Sequence, residues 1–375
     1  MADGSDGERQ REEALARVMD GSTWRRFCRG LEEAGAVILS PEAPGDPLDR
    51  AEGWRYLTRL TRAALETFVE ASDPSAPVFR RTAHETIKLG MDNPDNVYLS
   101  APVRGTWDYR IRGRRGSVHY LGFGSQAGNY GSTGSLDTTG YLEAKDMQIA
   151  RDGSFEIVAS AAEQPGNWLP MRPETRLIQI RQTRLDHEHE ELAQVTIERI
   201  DGRAEPGPLD PARLDRMLMG AAAFVKGTSG LFHQWAAGFQ QHPNELPRFD
   251  PERATRAGGD PNIAYYHGYW RLAPDEALVV EATPPECEYW NFQLANHWLE
   301  SLDYRYFRVH LNPRTAVPGS DGSLRIVVAH RDPGVPNWLD TCGHRQGAMC
   351  WRWVRAAEYP QPRTRVVKLP EPGGA

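Results

Sequence analysis

Apolar positions recur every three to four residues over the first seventy, then at every second residue, and both patterns return in that order further along the chain. Trp24, Phe27, Cys28 and Leu31 make one helical stripe, which Ser22 can open. Asp46-Pro47 reads as a cap followed by proline at the first helical position, and Trp54, Leu57, Thr61, Ala64 and Phe68 continue the period. The prolines of Asp73-Pro74-Ser75-Ala76-Pro77 end this helical region, taken as 1–75.

Alternation marks a first β unit, 90–205. Tyr109 to Arg112 and Val118 to Phe123 flank a Gly113-Arg114-Arg115-Gly116 turn, which predicts a hairpin. Gly122 to Gly140 reads as a flexible or tightly turning connection, and Leu177 to Leu185 and Val195 to Ile200 as strands. A helical linker, 206–245, follows. Asp210-Pro211 opens a helix with Leu214, Met217, Leu218, Ala221, Phe224 and Val225 on one face; Gly227 stops it, and Thr228 or Ser229 starts a second. Phe232, Trp235, Ala236 and Phe239 of that second helix have the spacing of a core face. A second β unit spans 258–370.

The second β unit repeats the first. Pro94 to Tyr98 corresponds to Pro261 to Tyr265, and Tyr109 to Leu121 to Leu278 to Trp290. Asp152-Gly153-Ser154 precedes Asn167-Trp168-Leu169 as Asp321-Gly322-Ser323 precedes Asn337-Trp338-Leu339, and Arg181 pairs with Arg352. These matches keep one order, so the fold is read as mainly β with helical insertions, an α+β class. It comprises two related antiparallel sandwich-like or jelly-roll-like units, an N-terminal helical region and a central helical hairpin. The asparagines and tryptophans common to both copies are read as turn formers and corner plugs.

With 375 residues, each unit can bury its own core. A formal charge of −7, with basic residues scattered, gives no footprint for nucleic acid. The polar, acidic start is neither a secretory signal nor an anchor, and no window approaches the roughly 18 apolar residues that cross a bilayer. A soluble, cytoplasmic protein with no membrane partner is expected. Its four cysteines lack paired spacing and read as free thiols; the oligomeric state stays open.

Residues found in the second copy alone are the candidates for chemistry. Asp340 and His344 follow the second Asn-Trp-Leu as orienter and general acid or base. If Gln293 to Arg305 is helical, His297, Glu300 and Asp303 stand three apart on one side, the first two as a second titratable pair. Arg345 or Arg352 would clamp an anion, and Tyr289, Trp290 and Trp298 would form an apolar wall. His330 and Asp332 share a strand face, where the carboxylate could orient the imidazole. His187 and His189 share a strand face but sit in a charge-dense turn of the kind that is usually solvated, and Cys342, His344 and Cys350 fit no standard metal spacing, so neither a metal nor another cofactor is implied. Serine-hydrolase, zinc-peptidase and nucleotide-binding motifs are missing.

Tyr289-Trp290, Asp321-Gly322-Ser323, Asn337-Trp338-Leu339 and Arg352 give the stretch from Asp260 onward a pattern that resembles a family of domains of unknown function, number twelve-fourteen. The first β unit resembles a diverged form of its partner family, number twelve-fifty-four. The resemblance implies sandwich-like folds and no particular activity. The functional expectation is a small-molecule enzyme using acid/base chemistry on a partly apolar metabolite in a cleft of the second unit. The alternative is a non-catalytic protein that binds carbohydrate or a hydrophobic ligand on aromatic platforms.

Overall fold

The computed structural model of the chain describes residues 3–202 and 206–370. Three helices open it: α1 (Asp3–Met19), α2 (Ser22–Ala34) and α3 (Pro47–Leu65). Asp46 caps α3, its carboxylate accepting from the amides of Leu48 and Asp49, and α3 runs on into a π-helical turn, Glu66–Glu70.

The first β unit holds β1 (Arg80–Ala83), β2 (Asn96–Pro102), β3 (Tyr109–Arg114), β4 (Tyr120–Asn129), β5 (Ser135–Glu143), β6 (Ser154–Ser160), β7 (Trp168–Pro170), β8 (Thr175–Thr183) and β9 (Gln194–Arg199). One sheet runs β1-β2-β8-β4-β5 and the other β7-β6-β3-β9. Between them Tyr109, Ile111, Phe123, Phe155, Ile157, Ile178 and Ile180 form the core.

The second unit holds β10 (Ile263–Arg271), β11 (Glu276–Ala282), β12 (Tyr289–Leu294), β13 (His310–Leu311), β14 (Leu324–Ala329), β15 (Trp338–Asp340), β16 (Gln346–Val354) and β17 (Arg363–Lys368). Its sheets run β10-β16-β12-β13 and β15-β14-β11-β17, the order of β2-β8-β4-β5 and β7-β6-β3-β9 strand for strand. Both units include one parallel pair, β6 with β7 and β14 with β15. Asn167 bonds both backbone groups of Gln148 and the carbonyl of Glu156; Asn337 does the same to Val317 and Arg325. The indoles of Trp168 and Trp338 donate to Ser160 and Ala329 carbonyls. The mainly β, α+β reading therefore stands.

Three local expectations are corrected. The helical hairpin is a single 29-residue helix, α4 (Pro211–Phe239), capped by Asp210. Gly227 does not stop it: a Cβ there would stand 2.3 Å from the Gly131 carbonyl oxygen, so the glycine lets the β4–β5 turn lie against the helix. β3 and β4 are not a hairpin, because β3 pairs with β6 and β9 while β4 pairs with β5 and β8 in the other sheet. The glycine-rich run is itself mostly β4 and β5; a Cβ on Gly122 would meet the Tyr141 hydroxyl at 2.1 Å.

Helix α4 packs against α1, α2 and α3, and this helical layer covers the outer face of β10 and β16, where Tyr269, Ala348 and Cys350 join Phe27, Tyr56, Leu60, Phe232 and Trp298 in one cluster. With both faces covered, β16 is buried along nearly its whole length, Arg352 included. No helix of the described residues is long and apolar enough to cross a membrane.

Candidate functional site

Most of the residues singled out in the sequence are held by separate structural partners, although His344 and Trp298 meet at Asp49 of α3. His344 bonds Asp49 of α3 through Nδ1 at 3.1 Å, whereas Asp340 accepts from the Cys342 amide at 2.7 Å. Asp340 is therefore a turn former and Asp49 the orienter; burial pushes the Asp49 carboxyl up and His344 opposes it. The Gln293 to Arg305 run is not helical: β12 ends at Leu294, and a short bridge joins Ala295 to Ser301. Within that loop His297 is fully buried, bonding Tyr269 Oη at 3.0 Å and His233 at 3.1 Å. Burial, then His233, pulls its imidazole down to about 3. Glu300, also buried, pairs with Arg59 at 2.8 Å, and Asp303 pairs with Arg305.

The remaining candidates are equally dispersed. Trp290 stacks on Trp351 in the second sandwich core, and Trp298 donates from its indole to the Asp49 carbonyl. Tyr289 donates to Asp95, which also accepts from His187, His310 and Asn312. Burial works against the Asp95 charge, but His310, His187 and Tyr289 hold it well below the carboxylate range. His330 bonds Thr341 and the Leu272 carbonyl instead of Asp332, whose carboxylate accepts from the Gly334 amide. Arg345 is exposed. His187 binds Asp95 and His189 binds Asp186, and among the described residues no three His, Cys, Asp or Glu side chains group as a metal site.

Of the predicted set, Arg352 alone lines a cavity of about 590 Å³ bounded by the β1-β2-β8-β4-β5 sheet, the π-helical turn after α3, α4 and β10. That volume is in the range of pockets for small organic ligands. Alternation builds its walls. On β8, Ile178 and Ile180 enter the sandwich core while Leu177, Gln179 and Arg181 face the cavity; on β2 that face carries Asn96, Tyr98 and Ser100. β10 supplies Tyr265 and His267, and β16 supplies Arg352. Phe224, Trp235 and Phe239 come from α4, and Phe68 from the π-helical turn packs on Phe224 at 5.5 Å.

Each unit contributes a cross-strand Tyr–Arg pair to this cavity: Tyr98 lies opposite Arg181 in the β2–β8 ladder and Tyr265 opposite Arg352 in the β10–β16 ladder. His267 stacks between Phe239 (5.4 Å) and Tyr265 (5.8 Å), with Phe249 edge-on. Its Nδ1 is buried without a hydrogen-bond partner, and burial, then Arg352, pulls the ring down to about 3, so it is neutral.

The correspondence of Arg181 with Arg352 is visible in the sequence, where Arg352 is a candidate anion clamp and Arg181 is given no site role. Tyr98, Tyr265, His267, Gln179 and the cavity role of Trp235 and Phe239 escape it. The available signal is the outward alternate position on strands whose other alternate positions are apolar.

Residues 274–358 match the model of a family described as a protein of unknown function (DUF1214). An uncharacterized protein from Burkholderia cenocepacia, known from its crystal structure, is 52% identical and superposes with a TM-score of 0.93, over 94% of this chain and 99% of that one. The VPA0106 protein from Vibrio parahaemolyticus is 14% identical, with a TM-score of 0.49 over 90% of this chain and 100% of that one. No curated protein matches the chain. With more than half of its residues shared over nearly the full length, the chain belongs to the family of the Burkholderia cenocepacia protein and carries the DUF1214 region in its second β unit.

Proposed function

We propose that this chain binds a partly apolar small molecule in the cavity between the first β unit, α4 and β10. The observation that carries this reading is an aromatic wall left open to a space of about 590 Å³: Phe68, Phe224, Trp235, Phe239, Phe249 and Tyr265 line it, although a close-packed interior would have filled it. Non-catalytic binding of a hydrophobic ligand, the alternative in the sequence reading, is thus the better-supported class.

A second reading is acid/base catalysis on that ligand. His267 is the one imidazole in the described cavity lining, but burial and Arg352 make it a weak base, so a catalytic role would need the bound molecule to raise its basicity. His344, Asp340, His297 and Glu300 lie outside the lining, so the enzyme reading now rests on His267. The shared strand order supports reading the two units as copies of one module; the kinship of the first with the twelve-fifty-four family rests on sequence resemblance alone. Four free cysteines fit a cytoplasmic location.

Native mass spectrometry of the purified protein tests the site. A one-to-one complex with a small organic molecule is expected for the wild type and not for Ser100→Trp, which would fill the cavity from β2. Equal loading of a folded Ser100→Trp protein would place the ligand elsewhere.

A further inference from the structure

Resting on that cavity reading, we propose that the ligand is an amphipathic oxyanion, a carboxylate or phosphate monoester, whose charged head is received by Arg181, Arg352 and the hydroxyls of Tyr98 and Tyr265. Charge decides the sign. Five arginines line the cavity (Arg80, Arg104, Arg176, Arg181 and Arg352) against one carboxylate, Asp92, which is bonded to the amide and hydroxyl of Ser301. Of the five, Arg80 faces Glu66 at 3.9 Å and Arg104 lies over the Trp107 ring. Arg181 and Arg352 form no ion pair among the described residues, and their hydrogen bonds go to neutral oxygens. Arg352 is buried and Arg181 half-buried, each without a direct ion-pair partner, Asp260 reaching Arg181 through its field alone; a ligand with a negative head would supply that direct partner.

The geometry around the two arginines is reciprocal. Arg181 of the first unit donates to the carbonyl of Gly258, seven residues before Tyr265; Arg352 of the second donates to the carbonyl of Met91, seven residues before Tyr98. Both acceptor residues take left-handed backbone, with φ of 72° at Gly258 and 61° at Met91. Each tyrosine hydroxyl accepts an amide five residues upstream, Asn93 for Tyr98 at 3.1 Å and Asp260 for Tyr265 at 3.2 Å. Those amides fill acceptor positions and leave the hydroxyl hydrogens without acceptors among the described residues. The result is a donor-rich wall on one side of an aromatic space, which is the complement of an oxyanion with an apolar body.

Isothermal titration with decanoate, decyl phosphate and 1-decanol tests the head group. Both anions are expected to bind at least tenfold more tightly than the alcohol, and the tighter of the two names the head. Arg181→Gln is expected to weaken the anions at least tenfold and leave the alcohol unchanged. Because Arg352 also bonds Asn291 and Gln293, Tyr98→Phe serves as the second variant, with a smaller loss of the same selectivity. Equal affinity for alcohol and anions overturns the oxyanion head while the apolar site stands. Failure of all three probes to bind overturns both.

Discussion

The imidazole of His344 is bonded to the carboxylate of Asp49, on helix α3, at 3.1 Å, with both side chains buried. The contact ties the turn before β16 to the helical layer, a structural task. His344→Ala is expected to lower the unfolding free energy by about 1–3 kcal/mol, the cost of leaving a buried polar group unpaired, and to leave probe binding in the cavity unchanged. Urea denaturation and titration of the same variant read both.

Arg181 is expected to behave in the opposite sense. Its side chain is half-buried with no ion-pair partner, Asp260 acting only through its field, and its guanidinium bonds the Gly258 carbonyl. Arg181→Met should leave stability within about 1 kcal/mol of wild type, or raise it, because a half-buried charge with no ion-pair partner is exchanged for an apolar chain of similar length. A loss of several kcal/mol in a denaturant titration would make this arginine a structural element.

The neutral state of His267 has a pH signature. Its folded-state value of about 3 lies below the ordinary ~6.5, so as pH falls the unfolded chain takes up a proton first and stability is lost. The slope contributed is at most about 1.4 kcal/mol per pH unit below pH 6.5. His267→Phe, which keeps a ring between Phe239 and Tyr265, should flatten the stability profile between pH 6.5 and about 4.5. The part due to His297, which is held at a similar value, should remain.

Gly227 gives a test of packing against propensity. In an exposed helix Gly→Ala gains about 1 kcal/mol. Here the new methyl would meet the backbone of Gly131, which has no side chain to move aside, so Gly227→Ala is expected to destabilise by about 1–2 kcal/mol in thermal or urea unfolding.

The strands and the paired Asn-Trp-Leu corners were legible because alternation and turn chemistry are local. The separate partners of β3 and β4 were not, since nothing in a hairpin-like pattern says that its two strands enter different sheets. The candidate site misled for a physical reason: Asp332 and Asp340 are spent on the amides of Gly334 and Cys342, turn bonds that concentrate titratable residues without making a pocket. The cavity itself is assembled from single alternate positions on β2, β8, β10 and β16 together with three aromatics of α4, separated by up to 256 residues between Asn96 and Arg352. No local window contains it.

The most direct test is a crystal structure of the protein soaked with decanoate at saturating concentration. The expected result is a carboxylate within hydrogen-bonding distance of the Arg181 guanidinium, with its chain against Phe224 and Trp235. A saturated crystal whose cavity holds no decanoate, or one in which the ligand lies on the surface away from both arginines, would contradict the assignment of the site.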